Sequence, residues 1–330
     1  NSKMAMVPSW KFLPWINQIA SKLSYDGSEF QNLLIKIMIQ LVIEVPYESV
    51  YALISILFYD EPSIKNDSKL TQKVMTAKQV LSKVKKMTDR EFYEKHIGFS
   101  LKFTNKAVEL AIEKYNDKTK YLTLDSLNIG NFWLNELPHL KLPLPTLPSK
   151  FTGPRESKGE NPYIIKVENV VDISSSGISL PKIMTFILSD GRRHKILFKG
   201  SNDDLRQDAI MEQVFHQVNN ILGKDKTLVN DRLNIRTYEV VPLGPKAGLI
   251  EFVANSIPLH KILTDLHVND SITFRQARQL MKAVQNKSIE EKLKAYLSIT
   301  KQIKPQLHNF FFKSFLDPDL WYESKKRYIK

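Results

Sequence analysis

The chain has 330 residues, with 48 Lys and Arg against 35 Asp and Glu, a formal charge of +13, 42% hydrophobic residues and no Cys. At about 100 to 200 residues per domain this length implies two soluble domains with packed cores, and the apolar content excludes a largely disordered chain. The lack of Cys excludes disulfides, thiolate zinc sites, iron–sulfur clusters and a cysteine nucleophile, and fits a reducing compartment, cytosol or nucleus.

The N-terminal Asn1-Ser2-Lys3 has no signal-peptide layout and reads as part of something longer. The most apolar stretch, Leu33 to Leu57, carries Lys36, Gln40, Glu44, Pro46 and Glu48, so it lacks the roughly 20 uninterrupted apolar residues of a membrane span. It predicts two buried helices instead. Phe30, Leu33, Leu34, Ile37, Met38 and Leu41 recur at helical spacing, Pro46 interrupts, and Val50, Leu53, Ile54 and Leu57 resume the period. Val80 to Met87 and Phe103 to Tyr115 keep it, which predicts an array of antiparallel helices. Four prolines within the stretch Leu137 to Pro148 predict an extended segment, closing a first domain near residue 150. Gly153 to Asn161 then reads as polar linker.

Beyond it come short β-like runs at Ile164 to Val171, Ile183 to Leu188, Lys195 to Phe198, Ile235 to Val241 and Leu249 to Val253. Asp190-Gly191 marks a hairpin, since both residues tolerate positive φ. Asp204-Leu205-Arg206-Gln207 has the form of a capping box, and Met211, Val214, Phe215, Val218, Ile221 and Leu222 continue as a helix. From Pro258 the chain reads as helical to its end. The fold class is therefore α+β: a helical array, an antiparallel sheet with one inserted helix, then helices.

The basic balance invites a nucleic-acid reading, but the densest clusters, Lys83-Val84-Lys85-Lys86 and Lys325-Lys326-Arg327, are short. A solvated basic face explains them better. The seven histidines never fall at metal-ligand spacing, and there is no G-x-S-x-G elbow, G-x-G-x-x-G loop or Walker motif. The more specific signal involves a carboxylate. Stepping by three and four from Asp208 reaches Met211, Phe215, Val218 and Leu222, so Asp208 borders the expected buried stripe and needs a cation to offset desolvation. Lys199 follows the run Lys195 to Phe198, and strand alternation puts it on the face of Leu197, opposite Ile196 and Phe198. A strand lysine paired with a helix carboxylate is how kinases orient nucleotide phosphates. The same two residues can also be read as a surface lysine and a cap-region carboxylate with no joint role.

The run from Lys199 and Gly200 through Asp204-Leu205-Arg206-Gln207-Asp208 resembles the signature around the phosphate-binding lysine of the phosphatidylinositol 3-kinase-like superfamily. The resemblance is closest to protein kinases of the ataxia-telangiectasia-mutated type, which include fungal telomere-maintenance kinases. Gly177-Ile178-Ser179-Leu180-Pro181-Lys182-Ile183 resembles the segment that replaces a glycine-rich loop. Tyr238 to Leu243 and Gly248 to Val253 resemble the strand and hinge around adenine, Phe315 to Pro318 and Leu320 to Glu323 the helices before the catalytic loop, and Val7 to Pro14 the last part of the helical FAT region. The resemblance implies FAT helices over 1–150, a linker over 151–162, a kinase N-lobe and hinge over 163–253, and the start of a C-lobe over 254–330. It implies ATP as the nucleotide. Lys199 would contact its phosphates and Asp208 would position Lys199, with Glu212 as a second candidate partner. Leu180, Pro181 and Lys182 would cover the nucleotide and Tyr238 would line the inner pocket. Ile250 would be the gatekeeper, Phe252 would lie beside adenine, and the backbones of Glu251 and Val253 would hydrogen-bond its edge.

Phosphoryl transfer also needs a catalytic Asp and magnesium ligands. The family draws these from an Asp-Arg-His loop and an Asp-Phe/Leu-Gly motif. Neither occurs in this sequence, so no catalytic or metal residue is assigned within it, and both motifs are expected after Lys330. The family further implies transfer of the ATP γ-phosphate to Ser or Thr followed by Gln, DNA-damage and telomere signalling in the nucleus, homodimerisation through FAT and kinase helices, a double-strand-break sensor complex as partner, indirect contact with DNA, and no membrane association. Two rival readings are a lipid kinase of the same superfamily and a non-catalytic scaffold or basic nucleic-acid-binding module.

Overall fold

The computed structural model describes residues 7–24, 26–59, 66–115, 119–147, 161–174, 180–200, 204–227, 233–303 and 305–329. They fall into two compact units, Asn1–Phe252 and Val253–Lys330.

The first unit begins with helices α1 (Ile16–Lys22), α2 (Glu29–Glu44), α3 (Pro46–Leu57), α4 (Ser68–Met87) and α5 (Phe99–Ile112). Local chemistry sets their ends. Ser28 caps α2 by accepting the Gln31 N–H, and Asp67 caps α4 by accepting from Lys69 and Leu70. Pro46 opens α3, where its missing N–H costs no helical bond. In the proline-rich segment, Leu137–Leu140 forms a 3-10 turn rather than extended chain, because Pro138 falls in the first turn where it is tolerated. The extended path starts afterwards, and Pro143 bridges to Tyr163.

Six antiparallel strands follow the order β1-β2-β3-β4-β6-β5: β1 (Tyr121–Thr123), β2 (Ile164–Ile173), β3 (Lys182–Leu188), β4 (Arg193–Gly200), β5 (Val240–Pro242) and β6 (Ala247–Glu251). The predicted hairpin joins β3 to β4, with Gly191 at φ 81° and its N–H donating to the Leu188 carbonyl. Alternation divides the sheet into two faces. Met184, Phe186, Leu188, Ile196, Phe198 and Leu249 are buried toward the helical layer, whereas Ile183, Leu197, Lys199 and Ile250 alternate to the other face.

Trp133 fastens the helical layer to the sheet. It is fully buried and packs edge-on against Phe103 and Phe198, each with ring centroids 5.6 Å away, and against Phe132 and Phe186. One continuous core consequently runs from Ile19 in α1 to Leu249 in β6. The boundary expected near residue 150 therefore separates no two cores, although a change of secondary structure does occur there. Most of the expected linker lies outside the described residues.

The expected strand Ile235 to Val241 shortens to Val240–Pro242. Helix α6 (Leu205–Leu222) explains why: the Asn219 side chain donates to the Ile235 carbonyl at 2.8 Å and accepts the Ile235 N–H at 2.7 Å. A side-chain amide thus takes the place of a neighbouring strand.

The second unit is helical, as its periodicity predicts: α7 (Leu259–Leu266), α8 (Phe274–Ala283), α9 (Ile289–Gln302), α10 (Leu307–Ser314) and α11 (Pro318–Ile329). Capping boxes start α8 and α9, at Thr273 with Gln276 and at Ser288 with Glu291. Ile272, Ala277 and Ile299 form its small core. His267, the C-cap of α7, is buried with Nδ1 2.6 Å from Asp270. Among the described residues no helix is long and apolar enough to cross a membrane.

Candidate functional site

The face of the sheet turned away from the helical layer carries the predicted site. In the β4–β6 ladder Leu197 pairs with Ile250 and Lys199 with Gly248, so Lys199, Leu197 and Ile250 share that face. Ile183 pairs with Leu197 and extends the same surface onto β3. Lys199 is half-buried there.

Helix α6 packs on this surface at the β5–β6 edge. Leu205 and Ala209 form a small core with Val240, closed by Tyr238 and Ile250. Gly248 permits the approach: a Cβ at that position would lie 2.6 Å from Leu205 Cδ1. Since Gly248 is the cross-strand partner of Lys199, the first turns of α6 stand beside the lysine. Asp204 caps the helix by accepting the Arg206 N–H, and its carboxylate forms an ion pair with the Arg206 guanidinium, which also covers the Tyr59 ring.

The rotation of α6 differs from the expected one. Met211 is 49% exposed, and Ile210, Val214 and Ile221 also face outward, while Glu212 is only 6% exposed. Asp208 is exposed and does not border the buried stripe. The helix is turned so that Leu205, Ala209 and Glu212 form its inner line, because the close approach at Gly248 fixes Leu205 as the contact residue. The carboxylate brought inward is that of Glu212, which accepts the Tyr238 N–H at 3.3 Å. Burial, followed by the charges of Glu212 and Asp208, raises the Tyr238 phenol above its ordinary pKa.

The Leu180–Pro181 segment adjoins the start of β3, and the Ser174 N–H donates to the Pro181 carbonyl at 2.9 Å, closing the base of the β2–β3 connection. Leu180 has φ 42°, a backbone conformation that costs energy for a branched residue and is concentrated at binding sites. Gly177, Ile178 and Ser179 of the same segment, and Ser201, Asn202 and Asp203 after Lys199, lie outside the described residues.

Lys182 requires a correction. Its side chain points to the core face of β3 and away from Lys199, because alternation aligns it with Met184 and Phe186. It cannot cover a nucleotide from there. At the other end of the site, the Glu251 N–H donates to the Glu239 carbonyl at 2.8 Å and the Glu239 N–H to the Glu251 carboxylate at 3.0 Å. Phe252 donates its N–H to the Lys195 carbonyl, and the Lys195 ammonium lies 5.7 Å from the centroid of its ring. Val253 opens the second unit.

A separate cavity of about 790 Å³ lies between the helical layer, α6 and β5, lined among others by Tyr51, Lys73, Arg206 and His216. None of the predicted nucleotide residues lines it.

Sheet, helix and lysine together have the arrangement of a kinase-type nucleotide lobe, and residues 194–330 match the phosphatidylinositol 3- and 4-kinase family model. Over nearly its whole length the chain is also similar to fungal serine/threonine-protein kinases TEL1. It is 54% identical to the Saccharomyces cerevisiae protein (99% of this chain, 12% of that protein) and 35% identical to the Candida albicans one (99% and 11%). Among solved structures it resembles the Tel1 kinase butterfly symmetric dimer, at 50% identity and TM-score 0.87, covering 98% of this chain and 14% of that one. The FAT and kinase domain of CtTel1 gives 30% identity and TM-score 0.86, covering 97% and 22%. Over the stretch it shares with them, the chain matches the phosphatidylinositol 3-kinase-related protein kinases of the ataxia-telangiectasia-mutated type. It spans 12% of the length of the first of these curated relatives.

Proposed function

We propose that this chain supplies the ATP-binding part of a serine/threonine protein kinase, which in the complete protein transfers the γ-phosphate to Ser or Thr followed by Gln. The observation that carries the reading is the placing of Lys199 opposite Gly248, on the sheet face where α6 packs and buries Glu212, with the exposed Asp208 near enough for its charge to act on Tyr238. There the Lys199 ammonium offsets phosphate charge, the α6 carboxylates hold the ammonium in orientation, and the Glu251 carbonyl meets the adenine edge. Leu180 and Pro181 cover the phosphates through their backbone path, with Ile250 behind adenine and Phe252 and Val253 along it. Magnesium, when bound, would supply charge neutralisation for the phosphates. Among the described residues no cluster of three or more His, Asp or Glu stands together as a metal site, and magnesium is assigned no ligand in this chain.

The names of the relatives, serine/threonine-protein kinases, support a protein rather than a lipid substrate; DNA-damage and telomere signalling in the nucleus follow from the family resemblance. The dimeric Tel1 structures support homodimerisation. A double-strand-break sensor complex as partner follows from the family resemblance. The test is ATP binding by the full-length protein: Lys199→Ala should weaken it at least about tenfold, the loss of a charge-assisted phosphate contact. Salt-sensitive DNA binding with ATP affinity indifferent to Lys199→Ala would favour a basic module instead. Phosphorylation of phosphatidylinositol but not of a Ser-Gln peptide would favour the lipid kinase.

A further inference from the structure

Lys182 is buried to 3% exposure, an unusual position for an ammonium. Its Nζ donates to the Ala111 carbonyl at 2.9 Å and to the Glu113 carbonyl, and lies 5.5 Å from the Tyr115 ring centroid. These carbonyls close α5, which ends at Ile112 and has no basic residue in its own last turn. A helix C-terminus presents unpaired carbonyls and partial negative charge, and a cation placed there answers both. Lys182 provides that cap from a strand 71 residues further along the chain.

The same helix end touches the site a second time. A Cβ at Gly200 would lie 2.1 Å from the Ala111 oxygen, so the residue directly after Lys199 rests against the carbonyl that Lys182 holds. In the ladder Lys182 pairs with Phe198, the residue directly before Lys199. The end of α5 is therefore the shared seat of two strands, one leading out of Leu180 and Pro181 and the other carrying Lys199.

We propose that Lys182 is a positioning residue: by holding the last carbonyls of α5 it fixes where the Leu180–Pro181 segment stands relative to Lys199, and it does not itself bind phosphate. The proposal rests on the nucleotide reading given above. The strained Leu180 directly precedes this anchored pair, in which the Pro181 carbonyl accepts the Ser174 N–H and Lys182 is held at the end of α5. Burial pushes the Lys182 ammonium below its ordinary pKa, with the Glu113 charge opposing, so the cation is kept at a desolvation cost that its two carbonyls and the ring offset.

The test measures dissociation constants for ATP and for adenosine in the full-length protein. Adenosine occupies the hinge end alone and reports on the pocket without its phosphates. Lys182→Met should weaken ATP about tenfold and adenosine less than about twofold. Tyr115→Leu, which removes the ring beside the ammonium, should give a smaller loss of the same kind. Gly200→Ala displaces the same helix end without touching any charge, so the Lys182→Met/Gly200→Ala pair should be about as weak as the worse single variant. Equal weakening of ATP and adenosine by Lys182→Met would reduce its role to general stability and overturn the proposal. Multiplicative losses in the pair, with Tyr115→Leu silent, would make Lys182 a direct phosphate ligand and overturn it too. Wild-type protein that fails to bind ATP would sink the nucleotide reading itself; wild-type binding left unchanged by Lys182→Met would sink only this proposal.

Discussion

Replacing Gly248 by Ala puts a methyl group where the Leu205 side chain now lies. The new Cβ would be 2.6 Å from Leu205 Cδ1, 3.0 Å from the Val241 oxygen and 3.3 Å from Pro242 Cα. Leu205 is 2% exposed, so relief requires its side chain to repack within the small core it shares with Ala209 and Val240, or α6 to lift from β6. Overpacking of this kind costs about 1 to 3 kcal/mol. Hydrogen exchange of α6 amides in the full-length protein reads local opening, and that cost corresponds to exchange faster by about 5- to 150-fold. Leu205→Ala on its own should cost about 2 to 5 kcal/mol as a buried leucine truncation. In the double variant the methyl introduced by Gly248→Ala and the space vacated by Leu205→Ala partly compensate, so the combined cost should fall short of the sum by at least about 1 kcal/mol. Additivity within about 0.5 kcal/mol would show that the contact does not set the position of α6. Because Asp208 and Glu212 ride on this helix, Gly248→Ala should also weaken ATP, and Leu205→Ala should restore part of that loss in the Gly248→Ala background.

Trp133→Ala should cost about 3 to 5 kcal/mol, since the ring fills the junction of Phe103, Phe186 and Phe198; thermal unfolding would show helical layer and sheet melting together. Loss of the sheet alone would contradict a shared core. Burial raises the Glu239 carboxyl above its ordinary pKa, His216 opposes this, and the charges of Glu251 and Glu212 add to it. The folded state then holds that proton more tightly than the unfolded state, so stability falls as pH rises from about 4 through the raised value. Glu239→Gln should melt higher than wild type at about pH 8 and equal to it near about pH 4; a lower melting temperature at about pH 8 would show that burial does not penalise the Glu239 carboxylate. Asn219→Leu leaves the Ile235 N–H and carbonyl without their partner and should cost about 1 to 3 kcal/mol, seen as faster exchange over residues 233–239.

Legibility followed the range of the forces involved. The α2–α3 pair was plain because both the apolar period and Pro46 act within a few residues, and the β3–β4 hairpin because Gly191 alone supplies the turn. Lys199 was equally accessible, since strand alternation needs only the strand. The rotation of α6 was not: its apolar residues outnumber one face, and the contact at Gly248, more than forty positions away in sequence, decides which of them turn inward. Ile235 to Glu239 has strand composition, yet it lies against a helix whose Asn219 and Glu212 take its hydrogen bonds. Lys182 was misplaced because a lysine in a phosphate-segment motif suggests solvent, whereas the end of α5 offered it two carbonyls.

The Trp133 junction has a consequence for how this part of the molecule comes into being. The sheet buries one face wholly against α5 and its neighbours, and has no second layer of its own to put there. Strands 164 onward therefore cannot mature as a separate folding unit when they leave the ribosome. They must condense onto helices synthesised earlier, and a break in either partner returns both to the unfolded ensemble.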